Sequence, residues 1–402
     1  MIILVINAGS SSLKYQLFNM DEHKVIAKGL CERIGMAGSR NVHTLPDGSK
    51  VTLEAEMKTH DDAIRILIDR LTDKEIGVIK SLSEIDAVGH RILHGGQKFT
   101  ESALVDEKVI AAIEECIPLG PLHNPANLMG IRACQKIMGD VPQVAVFDTA
   151  FHQTMPEKAY MYAIPYEYYR KYAIRRYGFH GTSHRYVSAK AAEMLGKPAS
   201  ELKIITCHLG NGSSIAAVKN GKCVDTSMGL TPLEGLPMGT RSGNLDPAIL
   251  GFLSEHEGMN TTELVTMLNK KSGVLGVSEL SSDFRDLAEA REQGNKQAIL
   301  ALEMFDYSIT KFIGAYAAAM GGVDAIVFTG GIGENNNTAR IKALEGLEFM
   351  GIKLDPVKAL ERKKNVDISA EDSKVRVLVI ETDEEFVIAS DTLRLVTEAK
   401  KA

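Results

Sequence analysis

Nowhere in this 402-residue chain do about 18 apolar residues run together, which excludes a membrane-spanning helix. A basic excess is also missing. Lys and Arg number 46 against 52 Asp and Glu, and the formal net charge of −6 argues against a general nucleic-acid or membrane-surface partner. The cysteines are few and odd in number (Cys31, Cys116, Cys134, Cys207, Cys223), with no C-x-x-C pair. They point to reduced thiols in a cytoplasm, not to disulfides or a structural zinc. Tryptophan is absent, and nothing follows from that. The opening Ile2–Ile6 segment lacks a basic leader and is too short for a signal peptide, so it reads as a strand. No low-complexity tract or linker divides the chain. Neither a G-x-x-x-x-G-K-[ST] loop, a G-x-G-x-x-G frame nor an H-E-x-x-H pair is present, which disfavours a P-loop, a Rossmann site and a zincin.

What is present is a composition of 45% hydrophobic and 24% charged residues, enough to bury a large interior. The length calls for two or three domains. The apolar Ile2–Ile6 meets Asn7-Ala8-Gly9-Ser10-Ser11-Ser12 and then an alternating segment over Leu13–Phe18, which reads as strand, tight turn, strand. About 200 residues later Leu202–Leu209 meets Gly210-Asn211-Gly212-Ser213-Ser214 and leaves through Ile215–Val218. The repeated device implies a duplicated domain. Helical spacing covers Asp61–Leu71, Asp106–Cys116, Asn127–Met138, Pro247–His256, Thr261–Asn269, Asp283–Glu292, Phe386–Lys400 and Lys296–Met320, the last apolar enough to predict burial. Short strands are expected at Val141–Phe147, Val323–Thr329 and Val375–Ile380, and loops over residues 151–185. We place one domain at 1–150, joined by the terminal helix 386–402, and the other at 151–385.

Several segments carry chemistry. The turn Asn7–Ser12, with Lys14 beyond it, and the turn Gly210–Ser214 can each present backbone N–H groups and hydroxyls to a phosphate. Gly330-Gly331-Ile332-Gly333-Glu334-Asn335 follows a strand and suits a base or ribose, a phosphate at a helix start, or a plain strand-to-helix turn. Arg91 and Arg241 sit beside glycines at strand ends, where a guanidinium can clamp carboxylate or phosphate. His123 and His180 can donate hydrogen bonds to a phosphoryl group or serve structure. The i, i+4 pairs His90/His94, Asp148/His152 and His180/His184 make a poor metal site, because nearby glycines and prolines oppose helix. Asp148 and Glu384 stand at strand ends, where a Mg²⁺-binding carboxylate is needed for phosphoryl transfer.

In order along the chain, Asn7–Lys14, Gly89–Gly96, Phe147–His152, Tyr177–His184, His208–Ser214, Gly239–Gly243 and Phe328–Asn335 together resemble the acetate kinase family, within the acetate and sugar kinase, heat-shock chaperone and actin superfamily. The resemblance spans nearly the whole chain. It implies an α/β fold of two actin-like, ribonuclease-H-like lobes, each a βββαβαβα core, with the active site between them and a cytoplasmic homodimer outside. It implies reversible transfer of the ATP γ-phosphoryl group to acetate, giving acetyl phosphate and ADP, with Mg²⁺ (or Mn²⁺ in its place). By its pattern Lys14, Ser10, Ser12, His208, Leu209, Gly210, Asn211, Gly212, Asp283, Phe284, Arg285 and Gly331 to Asn335 serve the nucleotide. Within the last stretch the contacting residues are Gly331, Ile332, Gly333, Glu334 and Asn335. Asn7, His180 and Arg241 would hold the phosphoryl group, and His123, Asn211 and Gly212 would add donors. Arg91 would grip the carboxylate in a pocket of Leu93, Leu122, Phe179 and Pro232. Glu384, with Asn7, would bind the metal, and Asp148 would assist it or orient the substrate. Because the acceptor is already an anion, no general base is required, and direct in-line transfer without a phosphoenzyme is expected. A sugar kinase would need an Asp to deprotonate a hydroxyl. An ATP-gated chaperone or filament protein would lack the Arg91/Arg241 pair.

Overall fold

The computed structural model describes residues 1–121 and 123–401. The chain divides into two compact units, Met1–Ala150 with Asp383–Ala402, and Phe151–Thr382.

In the first unit the strands are β1 (Ile2–Ala8), β2 (Ser12–Asn19), β3 (Lys24–Glu32), β4 (Arg40–Thr44), β5 (Lys50–Glu54), β6 (Ala87–Ile92), β7 (Ala103–Leu104) and β8 (Gln143–Phe147). They form one sheet in the order β5-β4-β3-β2-β1-β6-β8-β7. β1 to β5 form an antiparallel meander, whereas β6 and β8 lie parallel to β1. In the second unit β9 (Lys203–Leu209), β10 (Ser213–Lys219), β11 (Lys222–Thr226), β12 (Ala325–Thr329), β13 (Val366–Asp367) and β14 (Arg376–Val379) are ordered β11-β10-β9-β12-β14-β13. β9, β10 and β11 again run antiparallel, and β12 and β14 lie parallel to β9. Both sheets therefore share the order 3-2-1-4-5, the physical content of the duplication read from the two hairpins.

Alternation puts opposite faces of each sheet under different helices. In the first unit Leu4, Ile6, Leu13, Tyr15 and Leu17 pack with the helix His60–Leu71, while Ile3, Val5 and Val144 pack with Ile388 and Val396 of the helix Glu384–Ala399. In the second, Ile205, Cys207 and Phe328 meet the helix Lys296–Met320, and Ile204, Val218 and Val327 meet Val187 and Ala191 of the helix Gly181–Leu195. Helix ends are fixed locally: Thr59 and Asp62 form a capping box, and Gly321 ends Lys296–Met320 in the left-handed conformation.

Three expectations change. Residues 151–185 are not all loop: they include the short helices Glu157–Tyr160 and Glu167–Tyr172, and a 15-residue helix starts at Gly181. His184 is therefore helical, with its N–H donating to the carbonyl of His180, despite the neighbouring glycine. The helix Lys296–Met320 is not wholly buried, because Leu300, Met304 and Tyr307 lie on an exposed stripe. Glu384 opens the terminal helix instead of trailing the strand.

Candidate active site

The residues singled out in the first unit gather at the carboxyl ends of its parallel strands, where open α/β sheets bind ligands. β1 delivers Asn7, β6 delivers Arg91, and Asp148 follows β8, its N–H donating 2.9 Å to the carbonyl of Ile92. The hairpin turn is held by the Gly9 N–H donating to the carbonyl of Ser12 at 2.8 Å, with Ser10 and Lys14 exposed. Arg91 donates through Nε to Asp148 Oδ1 at 3.0 Å and through Nη2 to Oδ2 at 2.7 Å, a bidentate pair around a fully buried carboxylate. Asp148 first, then Glu384, holds the guanidinium above its ordinary range against the opposing effect of burial. Glu384 belongs to the same electrostatic group. Burial raises its carboxyl above the usual range, Asp148 adds to the rise, and Arg91 and Lys14 oppose it. Glu384 Oε1 is screened from solvent and accepts no hydrogen bond from protein. Leu93 is buried, and its N–H donates to Asn127 Oδ1 at 3.0 Å. His123 caps the helix Asn124–Met138, and Leu122 lies outside the described residues.

In the second unit the turn after β9 gathers the other donors. A Cβ placed on Gly212 would sit 3.4 Å from Arg241 Nη1 and 3.7 Å from His180 Nε2, so both side chains converge on this glycine. Arg241 Nη1 also donates to the carbonyl of Pro232 at 3.2 Å, and burial holds its guanidinium below the ordinary range. His180 takes the left-handed conformation at φ 56 as N-cap of its helix, and its ring stacks on His208 with centroids 4.2 Å apart. Phe179 is buried, its carbonyl accepting from His152 Nε2 at 2.8 Å.

A cavity of about 860 Å³ lies beside this turn, lined by Asn211, Asp283, Phe284, Arg285, Gly331, Ile332 and Asn335 among others. Gly330 has φ 77, and a Cβ there would come within 2.8 Å of the carbonyl of Leu209, so only glycine lets the short helix Gly330–Asn335 start hard against β9. Gly333 and Glu334 face inward: Glu334 Oε1 accepts from the Gly330 N–H at 3.0 Å and from the Thr382 N–H at 3.2 Å. Asp283 caps the helix Phe284–Glu292, accepting from the Arg285 N–H at 2.8 Å, and the Arg285 side chain holds its carboxyl down to about 2. Arg291 and Arg362 also line the cavity, and sequence reasoning missed both.

The family model for the acetokinase family matches residues 2–390. The chain belongs to the acetokinase family. It is 62% identical over 401 residues to the acetate kinase of Caldanaerobacter subterraneus subsp. tengcongensis, covering all of both chains. It is 61% identical over 399 residues to that of Thermotoga maritima, covering 98% of this chain and 99% of the relative. Among solved structures, Porphyromonas gingivalis acetate kinase superposes with a TM-score of 0.95 at 54% identity, and a propionate kinase from Francisella tularensis subsp. tularensis with 0.92 at 43%. Each comparison covers 98% of this chain and 99% of the other. This acetokinase therefore has the duplicated actin-like ATPase fold, with both 3-2-1-4-5 sheets in place. Among the described residues no helix is long and apolar enough to cross a membrane, and no group of three or more His, Cys, Asp or Glu could hold a metal ion.

Proposed function

We propose that this chain is an acetate kinase, transferring the γ-phosphoryl group of ATP to acetate and running the reverse reaction. The observation that carries the reading is full-length identity above 60% to acetate kinases. The geometry supports it. The cavity beside Asp283–Arg285 and Gly331–Asn335 has the volume for a nucleoside. His180 and Arg241 converge at Gly212 as donors for a phosphoryl group.

Arg91 orients the acceptor carboxylate through the amino group left outside its pair with Asp148, and Asp148 keeps the guanidinium aimed. Leu93, buried just beyond β6, would meet the methyl group of the acceptor. His123, Asn7, Asn211 and Gly212 add donors where charge spreads over the equatorial oxygens. The orphan Glu384 Oε1 fits a divalent cation, which needs only one or two protein oxygens besides phosphates and water. Glu384, with Asn7, would hold Mg²⁺, whose chemistry is to neutralise phosphate charge. With an anionic nucleophile and no base to recruit, transfer is direct. The enzyme works in the cytoplasm as a homodimer, a state that the exposed Leu300, Met304 and Tyr307 stripe favours.

Hydroxylamine trapping of acyl phosphate, with ATP and Mg²⁺ across formate, acetate, propionate and butyrate, tests the assignment. Turnover should peak at acetate. A peak at propionate would support the second reading that the propionate kinase neighbour raises, and no acyl phosphate from any acid would end the kinase assignment.

A further inference from the structure

Behind His180 lies a chain of hydrogen bonds that ends in the protein core. Thr206 and His208 share one face of β9 by strand alternation, and Ser214 of β10 stands directly across from His208. That face meets the first turn of the helix Gly181–Leu195. Ser214 Oγ lies 2.9 Å from His180 Nδ1 and 2.7 Å from His184 Nε2, and His184 Nδ1 lies 2.7 Å from Thr206 Oγ1. Ser214, His184 and Thr206 are all fully buried.

We propose that Ser214, His184 and Thr206 are positioning residues that lock His180 as a neutral donor, its Nε2–H aimed at the phosphoryl group. The inference rests on the kinase reading. Each hydroxyl has one proton, so the chain has two polarities. In the first, Thr206 donates to His184 Nδ1, His184 Nε2–H donates to Ser214, and Ser214 donates to His180 Nδ1. His180 then carries its proton on Nε2. In the second, every bond reverses and the neutral ring of His180 turns a lone pair toward the anion. A phosphoryl group selects the first, and two hydroxyls with two imidazoles hold it without placing another charge beside it.

The scheme requires His184 to stay neutral. Burial, then the neighbouring His152 and His208, hold it well below the usual histidine range. Titratable or charged groups facing the chain include His208, stacked on His180; His152, 5.6 Å from His184 between ring centroids; Cys223, 3.1 Å from His152 Nδ1, with its thiol pushed up by burial; and Arg241 at Gly212.

The test is a double-mutant cycle on the whole enzyme with Ser214→Ala, His180→Ala and the pair. Ser214→Ala should lower kcat about tenfold at pH 8, leaving the KM of ATP and of acetate within about threefold. In the His180→Ala background, Ser214→Ala should change kcat less than about twofold. An equal loss in both backgrounds, or no loss in either, overturns the proposal. Should Ser214→Ala not fold, ¹⁵N-histidine NMR of the unaltered enzyme at pH 8 decides: the Nε2–H tautomer of His180 supports the relay and the Nδ1–H tautomer overturns it. An unaltered enzyme that makes no acetyl phosphate would strike the kinase reading instead, and the tautomer would still be read from the spectrum.

Discussion

Replacing Asp148 with Asn keeps the shape of the side chain and removes one charge from the Arg91 pair. The two contacts are 3.0 and 2.7 Å, the carboxylate is fully buried, and the Arg91 side chain is 24% exposed. Removing one partner of a buried pair costs about 3–5 kcal/mol, because the other charge stays behind without compensation. The partial exposure of Arg91 places this case at the lower end, about 3 kcal/mol. For a unit of this size that corresponds to a fall of roughly 6–12 °C in the unfolding midpoint. Activity should fall further than stability explains. A guanidinium no longer held by Asp148 loses its aim, and kcat at a temperature where the variant is fully folded should drop about 100-fold or more. Differential scanning calorimetry without ligands and initial rates of acyl hydroxamate formation measure the two effects. An unchanged midpoint together with an unchanged kcat would refute the claim that this pair orders the site.

Glu384→Gln should raise the Mg²⁺ concentration needed for half-maximal rate and cut kcat strongly, by direct assay against a Mg²⁺ titration. The same variant should melt higher in EDTA at neutral pH. A carboxyl whose folded pKa is raised takes up its proton more readily in the folded than in the unfolded chain, so its contribution is present below the unfolded pKa and is lost as pH rises through the folded one. A midpoint that Glu384→Gln lowers across pH 5–8 would contradict this. Asp283→Ala removes both the helix cap and the Arg285 pair at the cavity. It should cost about 1 kcal/mol of stability and raise the KM of ATP with the KM of acetate unchanged, read from steady-state kinetics. Leu93→Ala should increase propionate turnover relative to acetate, since one methylene in such a pocket is worth about 1–3 kcal/mol; a ratio that stays fixed argues against Leu93 as the limit.

The hairpins at Asn7–Ser12 and Gly210–Ser214 were legible because an apolar run breaks at small, donor-rich residues in both places. That similarity already carried the duplication, which the matching sheet orders express. The β4–β5 hairpin went unread although Pro46-Asp47-Gly48 marks its turn. The helix at Gly181 was hidden for a different reason. It has a glycine first and a left-handed histidine as cap, so no ordinary start signal precedes it, although Val187, Ala191 and Leu195 repeat at helical spacing beyond. The Arg91–Asp148 pair joins residues 57 apart across parallel strands, a register that no local pattern encodes. Ser214, His184 and Thr206 were invisible as a set for the same reason: only the pairing of β9 with β10 and the docking of the helix bring them together. Apolar content predicted burial for Lys296–Met320, but one face of the helix, Tyr307 included, lies exposed on the single chain.

The most direct test of the account uses ATP made chiral at its γ-phosphorus with oxygen isotopes, acetate as acceptor, and stereochemical analysis of the acetyl phosphate formed. Direct in-line transfer predicts product of inverted configuration. Retention would require an intermediate on the enzyme, and failure to label acetyl phosphate at all would contradict phosphoryl transfer to acetate.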